Sequence, residues 1–176
     1  GRVGHCQAIK ALMKNYIVVT GGAGFVGSNL IELFLKKTNK KILSIDDYSS
    51  GFTRNHIKNS RIKYLKANTS NINKTLSKYK NQIKTLFHFG EFSRIYQSFE
   101  DFNQCFESNS QGTQAVFKFC LDNKIKLIYS ATSATLGNKG NDKNLSPYSF
   151  TKSKNLELLE NLKKWFNFKF EVIYFY

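Results

Sequence analysis

Thr20-Gly21-Gly22-Ala23-Gly24-Phe25-Val26-Gly27 follows the apolar run Tyr16-Ile17-Val18-Val19 and opens an amphipathic stretch, Phe25–Lys37. Strand, glycine-rich turn and helix in that order form a dinucleotide-binding loop. Gly21 permits the tight turn, Gly24 lets backbone approach a pyrophosphate, and Gly27 allows the helix to pack closely on the strand. With Phe25 and Val26 the helix begins, and its N-terminus offers free N–H groups and a partial positive charge to phosphates.

Outward from this loop, short apolar runs alternate with longer amphipathic segments. The pattern predicts strands at Tyr16–Thr20, Lys41–Asp46, Ile62–Lys66, Thr85–Phe89, Lys126–Ser130 and Phe170–Phe175. Helices are expected at Phe25–Lys37, Ile72–Lys80, Phe99–Asn123 and Pro147–Phe166. Repeated strand–helix–strand order predicts an α/β fold: a doubly wound, Rossmann-like, three-layer parallel sheet with helices on both faces. The first and fourth strands are nearly all apolar, as central buried strands are. The polar, Gly/Asn/Ser-rich stretches Tyr48–Arg54 and Leu136–Ser146 suit rims near a ligand. The domain is placed at residues 13–176. Gly1–Leu12 reads as an upstream extension or cloning remnant outside the fold, without the apolar core or small-residue cleavage site of a secretory signal. The last strand stops without a following segment, so the chain reads as truncated.

Asp46 stands 19 residues after Gly27, at the end of the second strand. An acidic side chain there accepts hydrogen bonds from the adenosine ribose hydroxyls and repels a 2′-phosphate, the more so with Asp47 beside it. NAD is therefore favoured over NADP. Taken alone, Asp46 is equally readable as a turn or helix cap.

A second constellation lies at Ser146-Pro147-Tyr148-Ser149-Phe150-Thr151-Lys152. Ser146 can cap a helix and Pro147 suits its first turn. Tyr148 and Lys152, four residues apart, share one helical face. A phenol with pKa near 10 is a poor base at neutral pH. A nearby ammonium and a positive nicotinamide ring would stabilise its phenolate, and Lys152 could also bond the nicotinamide ribose. Between the two motifs, Lys126-Leu127-Ile128-Tyr129-Ser130-Ala131-Thr132 is a strand ending in hydroxyl residues. Thr132 is the candidate for a hydrogen bond to a substrate oxygen, and Ser130 is placed at the cofactor. The plainer alternative is a strand end that satisfies its own backbone.

Composition narrows the partner classes. The 176 residues are 41% hydrophobic, which suffices for a core and excludes global disorder, and no apolar run is long enough to span a membrane. The formal charge of +15 suggests nucleic acid, yet it comes from 23 dispersed lysines and only four arginines, Arg2, Arg54, Arg61 and Arg94. Groove readers rely on the planar, bidentate fork of Arg, so a solvated basic surface is the favoured reading. Three cysteines (Cys6, Cys105, Cys120) without CxxC spacing and three scattered histidines (His5, His56, His88) give no metal site. A reducing, cytoplasmic compartment follows as an expectation.

Together these elements resemble the extended short-chain dehydrogenase/reductase superfamily, and within it the NAD-dependent sugar-nucleotide epimerase/dehydratase family, from about Met13 to Tyr176. The resemblance rests on Thr20–Gly27, Asp46-Asp47, His88-Phe89-Gly90, Asn109-Ser110-Gln111-Gly112-Thr113, the hydroxyl strand and Tyr148/Lys152. It implies an adenine contact at Asn68-Thr69, where relatives commonly carry Asp. It also implies that Phe89, Gly90 and Glu91 pass the cofactor's pyrophosphate and ribose. Relatives often have two small residues where Gly90-Glu91 stand, so Glu91 departs from the pattern. His88 and Asn109 are expected to be structural. The family's 4,6-dehydratases carry Asp-Glu directly after the Thr; Ser133-Ala134 cannot supply those carboxyls, and an epimerase of the UDP-glucose 4-epimerase kind leads. The implied catalytic set is Tyr148, Lys152 and Thr132, acting on a UDP- or dTDP-linked sugar through a 4-keto intermediate. Alternatives are another NAD-dependent reductase or dehydratase of the family, or a non-catalytic NAD- or RNA-binding protein on the same fold. In the family a C-terminal lobe largely sets sugar specificity, so a chain ending at the sixth strand is expected to turn over weakly or not at all. The resemblance also implies a homodimer through a four-helix bundle, for which Phe102, Phe106, Val116 and Phe117 are candidates, the alternative being that they serve only the core.

Overall fold

The computed structural model describes residues 14–175; the stretch 1–13, with the proposed extension, and Tyr176 lie outside it. Six strands, β1 (Tyr16–Thr20), β2 (Lys41–Asp46), β3 (Ile62–Lys66), β4 (Ile83–His88), β5 (Lys126–Thr132) and β6 (Phe170–Phe175), form one sheet in the order β3-β2-β1-β4-β5-β6. All five pairings are parallel. The helices are α1 (Phe25–Lys37), α2 (Ile72–Thr75), α3 (Gln97–Glu100), α4 (Phe102–Phe106), α5 (Thr113–Asp122) and α6 (Pro147–Phe166). The fold is thus the Rossmann-like α/β class expected.

Two cores sandwich the sheet. On one face Val18, Leu43, Leu86, Leu127 and Tyr129 pack against Val116 and Phe117 of α5 and Leu159 and Leu162 of α6. On the other, Ile17, Val19 and Ile42 meet Ile31 of α1. β1 and β4 lie at the centre; β1 is apolar through Val19, while β4 interleaves Ile83, Leu86 and Phe87 with Lys84, Thr85 and His88. Val116 and Phe117, candidates for a dimer surface, are instead 0% and 1% exposed within this core.

Local chemistry sets the helix ends. Ser146 caps α6 by accepting from Ser149 N–H at 3.0 Å, with Pro147 in the first turn. The helix ends at Asn167, whose left-handed backbone (φ 53°) suits an amide side chain. Arg61 donates to the carbonyls of Leu35 (2.6 Å) and Thr38, placing a cation at the negative end of α1.

The expected continuous helix Phe99–Asn123 is broken. Asp101 separates α3 from α4, and Glu107–Gly112 widens into a π-type turn before α5. The run Glu107-Ser108-Asn109-Ser110-Gln111-Gly112 holds polar, cap-favouring residues and a glycine, so helical geometry yields there to side-chain bonding. Asn109 is fully buried and exchanges hydrogen bonds with Phe92, accepting from its N–H (2.7 Å) and donating to its carbonyl (3.0 Å). The expected helix Ile72–Lys80 shrinks to the single turn of α2.

Candidate functional site

In the order β3-β2-β1-β4 the strand sequence switches from one side of β1 to the other between β1 and β4, and in such sheets ligands sit beyond the carboxyl ends of the strands at that switch. A cleft of about 710 Å³ opens there. The glycine turn forms its floor. Gly21 adopts φ +70°, and a Cβ on it would stand 2.7 Å from the Phe89 carbonyl carbon, so both conformation and space demand glycine. Gly24 occupies the N-cap of α1 with no side-chain cap hydrogen bond, and the first turn holds no acidic residue. The leading N–H groups of Phe25, Val26 and Gly27 therefore lack a side-chain partner at the cleft, as an anion site requires.

Every residue assigned to cofactor or chemistry borders this cleft: Gly21, Gly24 to Gly27, Asp46, Asp47, Asn68, Thr69, Phe89 to Glu91, Ser130, Thr132, Tyr148 and Lys152. Asp46 also performs the capping job of the plainer reading, accepting from Ala23 N–H (2.9 Å) and Tyr48 N–H (2.8 Å). The two roles are compatible, because each carboxylate oxygen has a second lone pair. Asn68 accepts from Ser70 N–H (2.9 Å) and leaves its side chain exposed. Ser130 is turned inward and donates to the His88 carbonyl (2.8 Å).

The reacting end is buried. Tyr148 is 9% and Lys152 4% exposed. Lys152 Nζ donates to Glu91 and to the Ser130 carbonyl, and lies 4.6 Å from the centre of the Tyr129 ring. Two of its three donors are thus taken by protein oxygens. Among the protein's own groups the Tyr148 phenol is pushed above its usual 10, by burial first and then by the charge of Glu91, while the Thr132 side chain pulls it down. The expected lowering needs a positive group from outside the chain.

Sequence reasoning missed how Glu91 is held. Its carboxylate borders the cleft but is only 3% exposed. It accepts from Thr113 O–H (2.8 Å), Tyr129 O–H (3.0 Å), Asn155 N–H (3.3 Å) and Lys152. The bonds fix the tautomer of His88. Thr113 spends its proton on Glu91, so it accepts from His88 Nε2–H (2.9 Å), and bare Nδ1 accepts from Thr20 O–H (2.7 Å). Thr20 in turn accepts from Gly90 N–H (3.0 Å), so one buried chain joins the glycine turn to Lys152. Arg94, Gln97, Asp101, Gln104 and Glu107 complete the cleft rim; nothing in their spacing pointed to it.

His88 is fully buried and its pKa is lowered to about 4, chiefly by desolvation. Above its unfolded value of about 6.5 both states hold it neutral and it contributes nothing to pH dependence. As pH falls from about 6.5 towards about 4, the unfolded chain takes up a proton that the folded one refuses. Stability should drop by about 1.4 kcal/mol per pH unit over that window, about 3 kcal/mol in all. Denaturant melts compared with His88→Gln should lose this component of the slope.

With this geometry in place, the comparisons identify the class. The model of the "NAD dependent epimerase/dehydratase family" matches residues 17–174, and the chain belongs to that family. NAD is the family's cofactor, and solved neighbours include UDP-glucose 4-epimerase from Brucella ovis in complex with NAD (TM-score 0.80, 21% identity, 91% of this chain and 51% of that one). A curated relative is ADP-L-glycero-D-manno-heptose-6-epimerase of Brachyspira hyodysenteriae, 28% identical over 146 residues, 77% of this chain and 45% of that protein. The UDP-Glc/GlcNAc 4-epimerase of Campylobacter jejuni superposes with TM-score 0.81 at 22% identity, over 91% of this chain and 53% of its own. The chain spans about half the length of these proteins. Among the described residues no helix is long and apolar enough to cross a membrane, and no cluster of ligands could hold a metal.

Proposed function

We propose that the protein is an NAD-dependent sugar-nucleotide epimerase working at sugar C4. The observation that carries this reading is the shared cleft: the glycine turn and Asp46 at one end, Thr132, Tyr148 and Lys152 at the other. The fit to the dinucleotide is supported by the uncapped start of α1 and by the glycine cradle that a Cβ on Gly21 would fill. Gly21 to Gly27 would hold the pyrophosphate and Asp46 the adenosine ribose, with Asn68 and Thr69 near adenine. The chemistry NAD supplies when bound is reversible hydride acceptance at its nicotinamide ring.

The chain's own groups handle the proton. Tyr148 as phenolate takes the proton of the sugar hydroxyl as the carbon–hydrogen bond breaks, and as phenol returns it when hydride is delivered to the opposite face of the 4-keto sugar. Thr132 orients the reacting oxygen. Lys152, one helical turn further along α6, tunes the phenol together with its carboxylate partner Glu91. Water elimination has no local acid–base pair, since Ser133 and Ala134 follow Thr132.

The substrate class is a UDP- or dTDP-linked sugar, and the names of the structural neighbours support the UDP-linked form. A homodimer reading narrows to Phe102 (51% exposed) and Phe106, whose rings stack 4.6 Å apart, since Val116 and Phe117 are buried. The buried free thiols Cys105 and Cys120 support a reducing, cytoplasmic setting.

Incubation with NAD and a panel of UDP-, dTDP- and ADP-linked sugars tests the reading. The expected result is interconversion of two C4 epimers without net change in nicotinamide absorbance. Net oxidation or reduction would replace it with a dehydrogenase, and inversion at another carbon with a different epimerase. Steeply salt-dependent RNA binding that survives Tyr148→Phe would favour the non-catalytic alternative.

A further inference from the structure

We propose that Glu91 is a positioning residue of the proton-transfer site: its carboxylate anchors and neutralises Lys152, so that Tyr148 keeps its proton until a positive ring enters the cleft. The inference rests on the reading of Tyr148 and Lys152 as base and partner, and goes beyond it by assigning the buried carboxylate behind them.

The geometry makes Glu91 a built counter-ion. Four donors converge on its two oxygens: Thr113 from α5, Tyr129 from β5, and Asn155 and Lys152 from α6. Lys152 Nζ cannot accept a hydrogen bond, so it requires an acceptor opposite, which the Glu91 carboxylate supplies. The titratable groups facing it are His88 of β4, Cys105 of α4, Tyr129 of β5, and Tyr148 and Lys152 of α6. His88, with its lone proton directed at Thr113, brings no charge. Lys152 is therefore the only cation in the group, and Glu91 cancels it at contact distance.

The consequence is a base governed by its visitor. With Lys152 neutralised, the field at the Tyr148 hydroxyl holds no net positive charge from the protein, and burial keeps the phenol protonated. The Tyr148 phenol would give up its proton only beside a positive charge brought into the cleft, as the oxidised ring of a bound NAD would supply, and would keep it in the absence of that charge. Deprotonation is thereby tied to the oxidised cofactor, the only state in which taking a proton from the sugar is productive. The small residues of the family pattern at this position would leave Lys152 charged and uncompensated.

Tyrosine labelled with carbon-13 at the ring carbon bearing the hydroxyl reports each phenol's titration by NMR, and Tyr148→Phe assigns the signal. The measurement needs neither cofactor nor sugar, so it remains readable if the epimerase reading fails. Conversely, undiminished turnover by Tyr148→Phe would sink that reading and with it the place of Glu91 in proton transfer, while the titration would still report whether Glu91 controls the phenol. In Glu91→Gln the Tyr148 midpoint should fall by about one pH unit or more. In Glu91→Asp, which keeps the charge, it should stay with the parent. In the double variant Glu91→Gln/Lys152→Met it should return close to the parent value, because both charges are gone. An unmoved or raised midpoint in Glu91→Gln overturns the proposal, as does a double variant that titrates as low as the single one. If Glu91→Gln does not fold, Lys152→Met decides: Glu91 without its cation should raise the Tyr148 midpoint by about one unit or more, and an unmoved midpoint overturns the proposal. A purely structural Glu91 would change melting in these variants and leave the phenol midpoint in place.

Discussion

Tyr148→Phe should lower epimerisation by about 10²–10⁴-fold while leaving NAD affinity close to the parent's. The ring stays, so the packing that buries Tyr148 to 9% exposure is retained; only the hydroxyl that carries the proton is lost. Thr132 cannot replace it, because a threonine hydroxyl has no accessible ionised form and here accepts from Ala134 N–H at 3.3 Å. Single-turnover kinetics with a sugar nucleotide should place the defect in the chemical step and not in binding. A variant that retains turnover would remove Tyr148 from the mechanism.

Gly27→Ala should be comparably severe for the cofactor. A Cβ at this position would lie 2.2 Å from the Gly21 carbonyl oxygen and 2.8 Å from the Gly22 Cα. Both are backbone atoms of the turn, so no side chain can swing aside; α1 must retreat from the loop that it is meant to hold. Overpacking of this kind costs about 1–3 kcal/mol of stability. The same displacement moves the leading N–H groups of α1 away from the phosphates. A loss of NAD affinity of about 100-fold, or about 2.7 kcal/mol, is expected from titration of protein shown to be folded. Gly22 is constrained differently: its added Cβ would fall 2.0 Å from the hydroxyl of Ser44, a side chain. That hydroxyl is the one buried side-chain polar atom among the described residues without a hydrogen-bond partner.

The elements most legible in the sequence were those whose own chemistry marks their ends. α1 and α6 run as expected because Gly24 precedes one and Ser146-Pro147 opens the other, and β1, β2, β3 and β6 coincide with their apolar runs. β4 starts two residues earlier than its pattern, at Ile83, where the charge of Lys84 obscured a strand that pairs with Tyr16 of β1. β5 continues through Ala131 and Thr132, small residues with little strand signature, because Tyr174 and Phe175 of β6 pair with them. The break in the long helix was read through: Glu107–Gly112 is a polar run ending in glycine between two amphipathic stretches, and the bond of Asn109 to Phe92, 17 residues away, holds it wide.

The site divides along the same line. Its motif residues were readable because a phosphate cradle and a Tyr–Lys pair each need fixed local spacing. Glu91 was noticed only as a misfit beside Gly90. Its partners come from α5, β5 and α6, separated by 22, 38, 61 and 64 residues, and no local pattern brings Thr113, Tyr129, Lys152 and Asn155 to one carboxylate. An acidic residue three positions after the buried strand-end His88 was the available signal. It marks a charge that must be compensated once the strand is central.

Calorimetric titration of the folded chain with NAD, alongside NADP and the Gly27→Ala variant, probes the cleft itself. Saturable uptake of NAD is expected, weaker for NADP by about tenfold or more because Asp46 and Asp47 repel a 2′-phosphate, and lost or nearly lost in Gly27→Ala. Heats no larger than dilution from well-folded parent protein, or equal uptake by the parent and Gly27→Ala, would contradict a dinucleotide site at the glycine turn.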